Sequence, residues 1–143
     1  MASGLKEGNY LYIFSIHPDG KSEVLFPTMT SRFAATLTEV PIVPSDNSYF
    51  ELPSESNLAY QANKTGIDYL IFLYSKKRID DIASLVGKVE GTLGDIDTRI
   101  NKIFGERLIP ESDIRYTPGD MSFSGTSSKG HIVPIILRVP VTN

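Results

Sequence analysis

Residues 10–27 read YLYIFSIHPDGKSEVLFP, and this stretch decides the fold. In an extended chain Tyr10, Tyr12, Phe14 and Ile16 fall on one face, with Leu11 and Ile13 on the other. His17-Pro18-Asp19-Gly20 then supplies turn chemistry. Proline presets the backbone of the second turn position, and glycine accepts the left-handed conformation at the exit. Lys21 to Phe26 reads as the returning strand, and Pro27 stops it by removing a backbone donor. The unit is a β-hairpin with apolar residues on both faces.

Working outward, Ile67 to Tyr74 (IDYLIFLY) is the next strong strand. Its apolar residues on both faces predict a central position with both faces covered. Ser75 reads as a helix cap after it. Ile79, Ile82, Leu85, Val86 and Val89 then recur at helical spacing, with Gly87 or Gly91 as the stop. Thr92 and Asp95 stand three apart in a capping-box pattern. Ile96, Ile100, Ile103 and Phe104 follow as one apolar stripe, closed by Gly105 and Pro110. His131 to Val141 is a further strand, preceded by short extended pieces at Asp113–Thr117 and Met121–Phe123. Pro134 and Pro140 share one parity in it, so their missing N–H groups lie on the same side, which predicts a sheet edge. Residues 28–65 read as ordered connections with one or two short strands near Val40–Val43 and Tyr49–Leu52. Phe33, Ile42, Tyr49, Phe50 and Tyr60 call for burial there. The expected fold class is α+β: a mainly antiparallel β-sheet or sandwich, with two consecutive helices at about 76–105 packed on it.

The 143 residues are the length of one domain, taken as 1–143. With 41% hydrophobic and 22% charged residues, the composition is that of a soluble globular protein. A net charge of -3 gives no electrostatic reason to bind nucleic acid or an anionic membrane. The absence of cysteine excludes thiol catalysis, disulfides and cysteine-based zinc sites. No apolar run approaches the roughly 18 residues of a spanning helix, and MASGLKEGN has no apolar core of a signal peptide. Met-Ala-Ser-Gly also fits an introduced start. In that case an export signal or further domains precede the native domain, and a periplasmic, cell-surface or secreted location is favoured over the cytoplasm.

Few residues suggest chemistry. His17 and His131 are the two histidines, in a turn and at a strand start, and the sequence names no converging partners, so both read as solvent-facing. Asp80-Asp81 and Asp95/Asp97 are close carboxylates of the kind hydrolases use as acid and base. They fall at helix starts, where the macrodipole favours negative charge, and capping is the stronger reading. Asp95-Ile96-Asp97 also opens like a calcium loop, but Ile100 stands where that loop needs glycine. Gly87, Gly91 and Gly94 follow a helix rather than a strand, and Gly125–Gly130 resembles a phosphate cradle in composition alone. Lys76-Lys77-Arg78 reads as a solvated helix start. Asn63-Lys64-Thr65 is a glycosylation sequon. The seven tyrosines and seven phenylalanines read as packing first, with an aromatic cleft near Tyr49, Phe50 and Tyr60 as the candidate small-molecule or glycan site. No metal or cofactor is called for.

The hairpin resembles a bacterial family, domain-of-unknown-function 4384. The resemblance rests on Tyr10-Leu11-Tyr12-Ile13-Phe14, Asp19-Gly20 and Leu25-Phe26-Pro27 in that order. Gly66-Ile67-Asp68-Tyr69, Ser75 to Asp80, Ser122-Phe123-Ser124 and Ile132 to Val141 look like the longer Bacteroidetes-type members. Such domains usually have another strand before the Tyr-Leu-Tyr strand, where this chain has nine residues, so an open edge or a substitute strand is expected. The resemblance implies no catalytic residues. It implies an accessory or interaction role in a bacterial protein, with a protein as partner; the alternatives are the aromatic-cleft binder and, third, a carboxylate hydrolase.

Overall fold

The structure is a computed structural model that describes residues 2–5, 8–27, 48–50, 65–117, 119, 122–125 and 128–142. Its strands are β1 (Ala2–Leu5), β2 (Tyr10–Ile16), β3 (Ser22–Phe26), β4 (Ser48–Phe50), β5 (Gly66–Ser75), β6 (Ile114–Thr117), β7 (Ser122–Gly125) and β8 (Ile132–Val141). The helices α1 (Ile82–Gly91) and α2 (Ile96–Phe104) lie between β5 and β6. Short 3-10 turns follow at Gly105–Arg107 and Glu111–Asp113.

A four-stranded antiparallel sheet in the order β3-β2-β5-β8 forms the centre. β1 pairs with β4 and β6 with β7, each as a two-stranded antiparallel ribbon. The fold class is therefore α+β, with the helices inserted between two neighbouring strands of the main sheet.

The hairpin forms as its sequence dictates. His17 and Gly20 close the turn, with the Gly20 N–H donating to the His17 carbonyl at 2.8 Å and the His17 N–H to the Lys21 carbonyl at 2.9 Å. Gly20 has φ of 84°, a conformation that favours glycine. The Phe26–Pro27 peptide is cis.

Alternation along β2 and β5 sends side chains into two layers. Tyr12, Phe14, Ile16, Ile71, Leu73 and Ile132 face the helices and pack with Ile82, Leu85, Val86 and Val89 of α1 and Ile96, Ile100 and Phe104 of α2. Each such side chain, when fully buried, contributes on the order of 1.5–3 kcal/mol, so this layer dominates the stability of the unit. Leu11, Ile13 and Phe26 are buried on the opposite face, with Leu25, Leu70, Phe72 and Tyr74 beside them. The Phe123 ring meets Tyr74 edge-on at 6.0 Å. The central place of β5 and the edge place of β8 agree with the sequence.

Three expectations need correction. Helix α1 starts at Ile82 rather than at 76, and Ser75 is not its cap. Ser75 is fully buried as the last residue of β5, paired with Tyr10 and Ile132. Its hydroxyl donates to the Lys77 carbonyl at 2.6 Å and accepts the Lys77 N–H at 3.2 Å, which ties down a turn. Ile79 reaches the core from that turn, and its N–H donates to the buried Tyr12 hydroxyl at 2.8 Å. Helical spacing from 79 onward therefore included one residue that is not helical.

Thr92 does not cap α2. It closes α1, with its hydroxyl donating to the Lys88 carbonyl at 2.7 Å. Asp95 is the cap, accepting the Thr98 N–H at 2.8 Å. Finally, a strand does precede Tyr10: β1 pairs with β4, away from the main sheet.

The stretches 28–47 and 51–64, including Phe33, Val40–Val43, Tyr60 and Asn63, lie outside the described residues. Among the described residues no helix is long and apolar enough to cross a membrane.

Candidate functional site

The candidate site is built on the outer edge of β8. The Lys76 N–H donates to the His131 carbonyl at 2.9 Å, one half of a hydrogen-bonded pair across the β5–β8 ladder; the His131 N–H, just ahead of β8, goes instead to the Arg107 carbonyl. In an antiparallel ladder such pairs recur every second residue. Odd-numbered residues of β8 therefore turn their backbone groups toward β5, and even-numbered ones turn theirs outward. Two contacts fit this parity. The Ile132 carbonyl accepts the Ile109 N–H at 2.8 Å, and the Pro134 carbonyl accepts the Tyr116 hydroxyl at 3.4 Å.

Pro134 and Pro140 are both even-numbered, so their missing donors cost the sheet nothing. Between them, Ile136 and Arg138 direct N–H and C=O groups outward, and no described residue pairs with these groups. The opposite edge differs: the Ser22 N–H on β3 is taken by the Glu90 carboxylate of α1 at 2.8 Å.

The first part of the β8 edge is covered by the chain itself. Leu108 bridges Ile132 in parallel, held by the Ile109 bond and by the His131 N–H donating to the Arg107 carbonyl at 2.8 Å. Gly130 permits this approach, since a Cβ there would collide with the Leu108 carbonyl. Pro110 then leads the chain away toward β6. The divergence opens a cleft of about 800 Å³ between β8, α2 and β6. Ile135 and Ile136 both line it, although they point to opposite faces of the sheet, so the cleft runs along the edge itself. Ile100 and Ile114 add apolar wall.

Polar residues also line it: Asp97, Asn101, Glu111, Tyr116 and Arg138. Arg138 pairs with Asp97 at 2.7 Å and sits 5.9 Å from the Tyr69 ring centroid. The Asn101 amide donates to the Asp97 backbone carbonyl at 2.9 Å. Burial and the nearby Glu111 carboxylate push the Tyr116 phenol above its usual range.

The carboxylates singled out in the sequence do not converge. Asp80 pairs with Arg78 at 2.8 Å, Asp81 with Arg107 at 3.2 Å, Asp97 with Arg138, and Asp95 caps α2. All four are exposed near helix starts. Gly87 lies inside α1, Gly91 ends it, Gly94 belongs to the interhelical connection, and Gly125 to Gly130 join β7 to β8. Lys76, Lys77 and Arg78 are exposed. Tyr49 and Phe50 belong to β4, but their side chains, like Tyr60, lie outside the described residues, so the aromatic cleft expected there does too. His131 is half-buried; burial, then Lys77 and Arg107, hold its imidazole below the ordinary range.

Neither histidine is the solvent-facing residue expected from the sequence, and His17, its side chain 24% exposed, departs further. It is not a free turn residue. Its Nδ1 lies 3.2 Å from Oδ1 of Asp68, and its Nε2 lies 3.5 Å from Ser15 Oγ and 3.7 Å from Glu23 Oε2. The order Ser-His-Asp is that of a hydrolytic triad. Ser15, however, is fully buried near the end of β2, between Glu23 and Leu70 on the flanking strands. A nucleophile needs a reacting carbon about 3 Å away, and this hydroxyl has no open approach. Asp68 is 1% exposed, and its Oδ2 has no hydrogen-bond partner among the described residues. The signal for the cluster was parity: Ser15 and His17 continue the face of Leu11 and Ile13, and Asp68 stands opposite His17 one step beyond the Ile16–Tyr69 pair.

Among the described residues, no group of three or more histidine, aspartate or glutamate side chains is placed to hold a metal ion. No protein-family model matches the chain, and neither a curated protein nor a solved structure matches it.

Proposed function

We propose that this chain is a non-catalytic interaction domain that receives a partner protein in the cleft beside β8, as an accessory part of a bacterial envelope or secreted protein. The bacterial setting is supported by the likeness of the Tyr10–Pro27 hairpin to domain-of-unknown-function 4384. One observation carries the site: an open cleft lies along backbone at Ile136 and Arg138 that no described residue pairs. Unpaired edges are the places where proteins accept further chain.

The test is photo-crosslinking with benzoylphenylalanine in place of Tyr116, on the cleft wall. The expected result is a discrete protein adduct that disappears when Asn101→Trp fills the cleft. An adduct indifferent to Asn101→Trp, or none at all, would sink the reading.

A second reading is favoured by the cleft volume, which falls in the range of about 300–1,000 Å³ typical of small-ligand sites. A metabolite that raises the melting temperature of the native chain, but not that of Asn101→Trp, would establish it instead.

A further inference from the structure

Resting on that cleft reading, we infer that the partner enters as an extended peptide segment that adds a strand to the outer edge of β8, between Pro134 and Pro140. The parity of β8 gives this edge a defined length. Pro134 and Pro140 offer acceptors without donors, whereas Ile136 and Arg138 offer both. The site thus accepts a short strand and discourages a long one, because pairing beyond either proline leaves carbonyls of the incoming chain without donors.

The fold already uses this edge in the same manner. Arg107 to Ile109 lie along the start of β8 with two backbone bonds of 2.8 Å, and Pro110 then diverts the chain. A parallel segment continuing that track meets the Pro134 carbonyl, both outward groups of Ile136 and the Arg138 N–H in succession.

Side-chain preference follows from the walls. Incoming residues alternate between the α2 side, where Asp97, Asn101 and Arg138 line the cleft over the buried Ile100, and the side of Ile114 and Ile135, so polar residues are favoured on the first and apolar residues on the second. Asp97 is neutralised by Arg138, while Glu111 has no partner among the described residues and carries a negative charge beside Tyr116. The occupant is therefore a short amphipathic strand, apolar toward Ile114 and Ile135 and polar toward α2, with a lysine or arginine near Glu111.

The experiment uses a phage-displayed library of random nonapeptides selected on the whole chain. Enriched peptides are measured against wild type, Arg138→Ala and Arg138→Pro. Both variants lose the ion pair with Asp97, but the proline alone removes the outward N–H. The inference requires binding to Arg138→Pro to be at least about tenfold weaker than to Arg138→Ala, the cost of stranding one backbone acceptor. Proline at 138 keeps the β5 ladder, as Pro134 and Pro140 do. Should it fail to fold, semisynthesis that replaces the Arg138 amide by an ester removes the same donor. Equal binding by the two variants, together with loss in Asn101→Trp, overturns strand addition and leaves the cleft reading standing. Binding indifferent to all three variants overturns both. No enriched peptide overturns the inference alone, and so does dimerisation of the free chain that Arg138→Pro abolishes, since the occupant is then a second copy.

Discussion

Nδ1 of His17 and Oδ1 of Asp68 lie 3.2 Å apart across the β2–β5 ladder, although 51 residues separate them in the chain. The contact gives a buried carboxylate its partner, since Asp68 is 1% exposed and its other oxygen has none among the described residues. His17→Ala should destabilise the fold by about 1–3 kcal/mol, the cost of leaving a buried polar group unsatisfied. Asp68→Leu, similar in shape and without charge, should recover part of that loss when added to His17→Ala. Urea unfolding of the four proteins in a double-mutant cycle measures the coupling. Strictly additive effects would show that the contact has no energetic weight.

Tyr12 joins the sheet to the turn before α1 through its hydroxyl, which accepts the Ile79 N–H at 2.8 Å. Tyr12→Phe strands that N–H in the core and should cost about 1–3 kcal/mol with an unchanged denaturant slope. The phenol also has an alkaline signature. Burial outweighs the Ile79 bond and raises the Tyr12 pKa above the ordinary 10.0. A raised pKa means that the neutral form is favoured in the folded state, so this stability is complete below pH 10 and falls as pH rises through the folded value. Stability curves from pH 9 upward should fall less steeply for Tyr12→Phe than for wild type.

Much of this fold is legible locally, and the failures have a common cause. Alternation in Tyr10–Ile16 and Gly66–Ser75 reports burial on each face, so the hairpin, the central strand and their two layers follow from the residues. The proline parity of β8 gives the edge for the same reason. What local pattern cannot supply is which strand lies opposite which. Asp68 reads as a polar interruption until the register sets it against His17. Ser75 reads as a cap until pairing with Tyr10 and Ile132 claims its backbone. The cleft was illegible on the same grounds, because it exists only where Pro110 leads the chain off an edge formed by residues 132–141.

Gly130 and Gly87 should respond to alanine with opposite signs. Gly130 has φ of 72°, and a Cβ there would collide with the Leu108 carbonyl and stand 2.8 Å from the Ile109 nitrogen. Gly130→Ala should cost more than about 1 kcal/mol. It should also loosen Leu108 and Ile109 from β8, read as faster amide exchange at Ile109. Gly87 lies exposed inside α1 with nothing within 4 Å of a built Cβ. Gly87→Ala should therefore stabilise by about 0.5–1 kcal/mol. Thermal unfolding checks both, and destabilisation by Gly87→Ala would show that α1 is held by something other than the packing described.

Asp95 caps α2 by accepting the Thr98 N–H at 2.8 Å, and that bond holds its carboxyl below the ordinary value of 3.8. A depressed pKa means that the charged form is favoured in the folded state. The associated stability is present above the unfolded pKa and is lost as pH falls through the folded one. Asp95→Ala removes both cap and charge and should lower the melting temperature at pH 7, with the difference shrinking below pH 4. Asparagine caps about as well as aspartate but carries no charge. Asp95→Asn should therefore stay near wild type at pH 7 and lose the acid-dependent part of the stability. Melting temperatures of the three proteins between pH 2.5 and pH 7 separate the two contributions. An Asp95→Ala deficit that persisted undiminished at pH 2.5 would place the stabilisation in the geometry of the cap rather than in its charge.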